Sequence, residues 1–582
     1  MRNLLFSAFA LLTLSIGSAN AQISQTEAMD RLSGGNVIGY RVIEQDCPII
    51  SCGGSNLSTI DQASEFLADA IRDSGDRFTI RDEPRSIFDV SDSILRRFPQ
   101  QQTVFLNFDA GGAPTFPVDI IFFDGTTATL FLEDFVYTPA IRDAIQDLLE
   151  ADYERFNYGF VQSEPGGDRF TTLNIGDNDR APGSANITLT EVAPGSFGFS
   201  ILFGMADEID FGNLNRASAA FVDASFWVVL AELFGPGALS GLSGIPISDP
   251  TDQAEIDSVV ELAVINQSAN TSAHELGHTV GLRHHDSFGA PGDGLPTTGT
   301  PGPGDFSPIF PGGTDGAETV LHTMASGASV GLPIQNSTAV DRFFSERSAI
   351  KLRINERGFF FTESFLNGNP DGDGDRVRLI PMRPTNIPNT IVEGENSGSR
   401  FIRASQAVVE GRISEEGEID VFKFKGTAGE FLNLEQISFT NGTLLDSLFF
   451  TELRVFKIED DGSRTLAVSN FLPAESIDPL IVDWQIPETA TYELEVEAID
   501  VGFAPEDFGL PPLPAPLNVG NYSVHIYMVD GPLGNGNQGF TRDQMADLDN
   551  PDGDGDRDGD RDGDGDGDGD RGGDGDRDGD RN

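Results

Sequence analysis

The sequence predicts a multidomain chain of α/β (α+β) type: a unit with a twisted mixed sheet and a histidine-bearing helix, then an all-β sandwich, then an acidic, disordered tail. Three observations predict it. Four of the six histidines (His274, His278, His284 and His285) fall within twelve residues on a helical pattern, in a region that also carries β-type segments. From about 401 to 530, short β-type segments follow one another with turn signals between them, the rhythm of a sandwich. From residue 550 onward the chain is almost wholly Asp, Gly and Arg, a composition that cannot bury a core. At 582 residues the chain is also too long for one core, so two or three folded units are expected.

Residues 1–21 read as a cleavable signal peptide. Arg2 gives a positive start, Leu4 to Ile16 an apolar stretch, and Ala19-Asn20-Ala21 a small-x-small cleavage site before Gln22. That stretch is shorter than the ~20 apolar residues of a spanning helix. No later segment is expected to span a membrane either, so export to the extracellular or periplasmic space is the expectation. Cys47 and Cys52, the only cysteines, suit one small disulfide in an oxidising compartment. A formal charge of −56 argues against nucleic acid and anionic membranes as partners and favours binding of divalent cations. Nothing in the sequence points to an oligomeric state.

Residues 22–98 form an N-terminal segment with one helix pattern near Ile60 to Arg72, where Thr59 and Gln62 make a capping box and Gly75 follows the end. A propeptide is one reading of it. Residues 99–360 suit the α+β unit. Strands are expected at Thr103–Phe108, Val118–Phe123, Thr129–Phe135, Phe170–Ile175, Phe199–Phe203 and Ala219–Val222. A helix fits Pro139 to Phe156, with Ile141, Ala144, Ile145, Leu148 and Leu149 on one apolar face. The histidine helix is expected to begin near Asp257 or Ser258, where Ser258 and Glu261 match a capping box. Gly289 to Gly313 reads as a long loop, and Thr338 to Glu356 as a last helix. Residues 361–400 are expected as a linker, 401–531 as the sandwich and 532–582 as the acidic tail.

The chemistry lies in His274-Glu275-Leu276-Gly277-His278-Thr279-Val280-Gly281-Leu282-Arg283-His284. On a helix His274 and His278 stand one turn apart, so both imidazoles project from one face and can grip a single Zn²⁺. Glu275 beside them can take a proton from a zinc-activated water. Six more residues of regular helix would carry His284 ~240° round and ~9 Å along from His278, so the helix must break before it. Gly281 supplies the break, because glycine adopts the left-handed conformation that ends helices. Such clustering in a histidine-poor chain is poorly explained by packing alone.

These residues resemble the metzincin metalloproteases, whose signature is H-E-x-x-H-x-x-G-x-x-H followed by a methionine-containing turn. His322-Thr323-Met324-Ala325-Ser326-Gly327 is similar to that turn. The resemblance implies a secreted zinc endopeptidase. His274, His278 and His284 would be ligands, Glu275 the general base, and Met324 the floor beneath the imidazoles. It also implies protein or peptide substrates added as a strand along a sheet edge, for which Ala219 to Phe226 is the expected frame. Ser326 stands where some members carry a ligating tyrosine, so no fifth protein ligand is expected. His285 reads as a residue of the cleft or behind a ligand, and His322 as surface or support. Within 22–98, Ser51-Cys52-Gly53 leaves a cysteine switch open beside the Cys47–Cys52 disulfide.

A second resemblance covers the sandwich. Gly411-Arg412-Ile413-Ser414, Gly417 to Phe424, Thr427-Ala428-Gly429-Glu430, Ile486 to Tyr492 and Gly520 to Val524 look like the bacterial pre-peptidase C-terminal (PPC) domain, with Ala490 in place of the usual turn glycine. That family implies an accessory module of secreted proteases; a plain stabilising sandwich is the alternative. Two Asp-Gly runs offer candidate Ca²⁺ ligands, Asp371, Asp373 and Asp375 in the first and Asp552, Asp554 and Asp556 in the second. Arg376 stands where an EF-hand loop needs glycine, and the tail resembles thrombospondin type 3 repeats without their cysteines. A solvated tether is the alternative for the tail. For the chain as a whole the rival to the protease is a secreted adhesive or interaction protein with a vestigial zinc domain.

Overall fold

The computed structural model describes residues 22–33, 35–42, 79–80, 101–108, 115–167, 169–176, 186–207, 209–213, 216–283, 286, 323–324, 344–357, 360–362, 366, 378–388, 401–414, 417–437, 444–445, 450–470, 478–499 and 519–530. Several mixed and antiparallel sheets with few helices make up a multi-unit α+β chain. Cys47, Cys52, His284, His285, His322, Ser326, the signal-peptide segment, the Ile60–Arg72 helix pattern, the Gly289–Gly313 loop, both Asp-Gly runs and the tail lie outside the described residues.

The first unit holds two five-stranded sheets. One has the order β1 (Asn36–Val42), β9 (Ser196–Ile201), β8 (Ile187–Ala193), β4 (Thr115–Ile121), β5 (Thr127–Glu133). Helix α1 (Gln25–Leu32) precedes β1 and buries Ala28 and Leu32 in the same core. The other sheet has the order β10 (Gly204–Ala206), β11 (Ala219–Val222), β7 (Thr171–Ile175), β3 (Gln102–Asn107), β6 (Tyr158–Val161). Its strands run parallel except β10, which pairs antiparallel to β11 at the edge. Alternating burial along β3, β4 and β7 is the period-2 pattern expected of sheets with one face in a core.

Helix α2 (Pro139–Asp152) starts where the sequence predicts, with Pro139 in its first turn and the Thr138 hydroxyl accepting from the Ile141 N–H. It ends sooner than expected, at Tyr153. The stretch Phe226–Ser243 is the one helical stretch among the described residues apolar enough, by length and composition, to cross a membrane. Here it is α3 (Phe226–Val229), a π turn (Leu230–Phe234) and α4 (Gly235–Ser243), with Phe226, Trp227, Val229 and Leu230 buried in the core of the unit.

The long helix α5 (Gln253–Thr279) packs on β7, β10, β11 and α2. It begins earlier than the Ser258–Glu261 box suggests. Asp252 is the cap, accepting from the Ala254 N–H at 3.0 Å, and Glu255 accepts from the backbone of Ser248 and Asp249 at 2.6 and 2.8 Å. Those bonds order the entry loop and hold the Glu255 carboxyl below its usual range. The last helix of the unit, α6 (Glu346–Arg357), also differs from expectation: Phe344 and Ser345 are not helical, and the Ser345 hydroxyl accepts from the Ser348 N–H at 3.0 Å.

The second unit is two sheets around one core. The larger has the order β12 (Phe360–Thr362), β14 (Phe401–Ile413), β22 (Gly520–Val529), β16 (Phe431–Ile437), β20 (Leu480–Gln485), with β13 (Arg383–Pro388) also on β14. The smaller has the order β15 (Ile419–Gly426), β21 (Ala490–Ile499), β18 (Phe450–Ile458), β19 (Arg464–Asn470). Phe422, Phe424, Leu494, Val496, Val524 and Ile526 alternate inward to fill the space between them. β13 lies within the stretch expected as a linker. A short pair, β2 (Thr79–Ile80) with β17 (Leu444–Leu445), joins the N-terminal region to this unit. The two units also share a cluster of Phe211, Val408, Ile437 and Phe360.

Candidate metal centre

The C-terminal half of α5 is buried on all sides, and its last turns carry His274, Glu275 and His278, all buried. The helix then stops as the glycine predicts. Gly281 has φ +94°, the Leu282 N–H donates to the Gly277 carbonyl at 2.9 Å and the Gly281 N–H to the His278 carbonyl at 2.9 Å. This is a Schellman ending with Gly281 at its left-handed position. A Cβ at Gly281 would stand 2.5 Å from the Phe211 Cα, so glycine is required for space as well as for conformation.

That ending gives His278 its orientation. The Leu282 carbonyl, turned back by the motif, lies 2.9 Å from His278 Nδ1, and the Thr323 carbonyl lies 2.7 Å from His274 Nδ1. A carbonyl oxygen only accepts, so both imidazoles carry their hydrogen on Nδ1 and turn Nε2 to each other. The two Nε2 atoms are 3.0 Å apart, with rings at 85°. Two Nε2 lone pairs at that distance repel unless a cation is shared between them. A tetrahedral ion with bonds of about 2.0–2.1 Å sets two such nitrogens about 3.3 Å apart, so the pair fits a zinc ion and its carbonyl-bound Nδ1 groups are the usual support of metal-ligating histidines.

Met324 follows Thr323 directly, and its Sδ packs against Gly277, where an added Cβ would stand 2.4 Å from it. Met324 thus supplies a buried thioether beneath the helix, and Thr323 the carbonyl that fixes His274. Glu275 points toward the sheet edge. A Cβ at Gly204 on β10 would lie 2.6 Å from Glu275 Oε1, so the carboxylate and the edge strand are in close contact. The edge itself corrects the sequence reading. β11 is interior, hydrogen-bonded to β10 on one side and β7 on the other, and among the described residues β10 is the outer strand.

Among the described residues no group of three or more His, Cys, Asp or Glu side chains could hold a metal ion, and His284 is not one of those residues. Sequence reasoning missed Gly204, the two carbonyls, and the buried charges flanking the turn, Arg283 and Asp286. The last two sit on either side of His284-His285, and their charge was the one available signal.

No family model and no curated protein matches the chain. A periplasmic inhibitor of g-type lysozyme from Aeromonas hydrophila is among the solved structures that match, at 9% identity over 22% of this chain and 87% of that one, with a TM-score of 0.14. Another, a protein of Sulfurospirillum deleyianum, is 10% identical over 21% of this chain and 97% of its own, with a TM-score of 0.15. Neither likeness bears on the fold or activity of this chain.

Proposed function

We propose that this chain is an exported, zinc-dependent endopeptidase whose first unit resembles the metzincins and whose sandwich resembles the PPC domain. The observation that carries the reading is the His274–His278 pair, with both Nδ1 hydrogens on carbonyls and both Nε2 atoms converging beside a buried Glu275. His274, His278 and His284 are the residues that would hold the ion. Zinc, when bound, supplies Lewis acidity that brings the pKa of water toward neutrality and stabilises developing oxyanion charge.

The remaining work falls to side chains and backbone. Glu275 takes the proton of the attacking water as its oxygen bonds to the peptide carbonyl carbon. When the C–N bond breaks, the same carboxyl returns that proton to the leaving amine, and a carboxylate and an amine separate. β10, an edge strand against the Glu275 carboxylate, suits an extended protein or peptide substrate that pairs as an added strand. Met324 supports the helix from below.

The test is metal content by mass spectrometry and casein hydrolysis on one purified sample, with and without 1,10-phenanthroline. Zinc bound in equimolar amount and cleavage abolished by the chelator are expected. Glu275→Ala should keep the zinc and lose turnover; a chain without zinc would end the reading.

A further inference from the structure

The turn that follows α5 is held from the other unit. Arg283 and Lys351 are buried cations, and burying a charge is strongly unfavourable unless it is paired with good geometry. Arg283 Nη2 meets Asp478 Oδ2 at 2.8 Å, and its Nε stands 3.9 Å from Glu435 Oε1. Lys351 Nζ bridges Asp286 Oδ2 at 2.7 Å and Glu435 Oε2 at 2.5 Å. Glu435 lies on β16 and Asp478 just before β20, both in the sandwich, whereas Lys351 belongs to α6. Asp286, Glu435 and Asp478 are buried as well.

One peptide unit connects this network to the histidine. The Arg283 N–H donates to Asp286 Oδ2 at 2.8 Å, and the carbonyl of that same peptide, Leu282 C=O, accepts from His278 Nδ1 at 2.9 Å. The plane that orients His278 is therefore gripped on its far side by a carboxylate, which Lys351 ties to Glu435. Arg283, one bond further on, is pinned to Asp478. We propose that Asp478 and Glu435 of the C-terminal sandwich are positioning residues for the metal site, acting on His278 through Arg283, Lys351, Asp286 and the Leu282–Arg283 peptide. The sandwich is then part of the site's support, not only an appended module. This rests on the zinc reading above.

The experiment measures zinc affinity of the full chain by competition with a chromophoric chelator, and the visible spectrum of the Co²⁺-substituted protein. Asp478→Asn and Glu435→Gln are expected to weaken zinc by about 10–100-fold and to shift the cobalt bands, the range seen when outer-shell partners of metal-ligating histidines are removed. Asp478→Glu, which keeps the charge, should recover part of the affinity. Asp483→Asn is the control: it breaks the equally buried Arg347–Asp483 bridge of 2.6 Å between α6 and the sandwich, which does not touch the Leu282–Arg283 peptide. Zinc affinity and cobalt spectrum should stay unchanged there. Should Asp478→Asn not fold, Glu435→Gln, whose amide oxygen still accepts from Lys351, carries the comparison. Unaltered zinc binding in both variants, or an equal loss in Asp483→Asn, overturns the positioning role while the zinc reading stands. A parent chain that binds no zinc overturns both.

Discussion

Gly281→Ala tests the turn after α5 most directly. Its φ of +94° is a conformation that side chains rarely adopt, and an added Cβ would stand 2.5 Å from the Phe211 Cα, 2.9 Å from the Phe211 N and 3.1 Å from the Asp210 carbonyl oxygen. The left-handed backbone costs ~1–2 kcal/mol for an L residue. Overlap with main-chain atoms, which cannot swing aside as a side-chain tip can, adds ~1–3 kcal/mol. Alanine's smaller unfolded-state entropy returns ~0.4–1 kcal/mol. The net expectation is a destabilisation of about 1–4.5 kcal/mol, centred near 3. Gly125→Ala is the matched comparison, because its φ is +81° and nothing lies within 4 Å of its added Cβ. It should cost only the conformational part, about 1 kcal/mol. Urea unfolding of the zinc-free proteins measures both, with the buried Trp227 of the same unit as fluorescent reporter. Equal costs for the two variants, within ~0.5 kcal/mol, would refute the overlap argument.

Gly204→Ala places a methyl 2.6 Å from Glu275 Oε1 and 2.9 Å from its Cγ, so it should retain zinc yet lower casein turnover by about 10²-fold, the scale of an ångström-sized misplacement. Full turnover in a zinc-loaded variant would show that Glu275 does not need its present position. Leu32→Ala opens a cavity where α1 meets the core and should cost ~2–5 kcal/mol; an unchanged melting temperature would mean that this helix does not pack there. His525 is predicted to make the fold acid-sensitive. Burial, with Lys351 adding and Glu435 opposing, lowers its pKa from 6.5 to about 3, while Phe211, Tyr527 and Gln406 complete its surroundings. Below pH 6.5 the unfolded chain takes a proton that the folded chain refuses until about pH 3. Stability present above 6.5 is therefore lost as pH falls through that window, at up to about 1.4 kcal/mol per pH unit. Melting temperatures of the parent should fall more steeply between those pH values than those of His525→Gln, and equal slopes would contradict the assignment.

What the sequence made legible was local. The His274–His278 spacing, the Gly281 break and the Pro139 start each depend on residues within a turn or two of one another, and all three stand where that chemistry requires. The start of α5 was misread for a related reason: S-x-x-E at Ser258 and the Asp252 cap are both valid signals, and only the bonds from Glu255 back to Ser248 and Asp249 decide between them. The edge strand escaped because Gly204 is one glycine among 66 until the chain folds Glu275 against it. Arg283 and Asp478 are separated by 195 residues, and no local pattern pairs them.

The proton positions of the two imidazoles were out of reach for a deeper reason. Their partners, Leu282 C=O and Thr323 C=O, are backbone groups that every residue carries, so no side-chain motif marks them. Spacing alone puts the two imidazoles on one helix face; only the left-handed turn at Gly281 and the Thr323 carbonyl decide that both turn Nε2, with its lone pair, toward the other. On the zinc reading, a substitution that spares every histidine but turns either carbonyl away should weaken the site as the loss of an imidazole's hydrogen-bond partner does, and Gly281→Ala is the variant in which that effect and the stability cost can be read together.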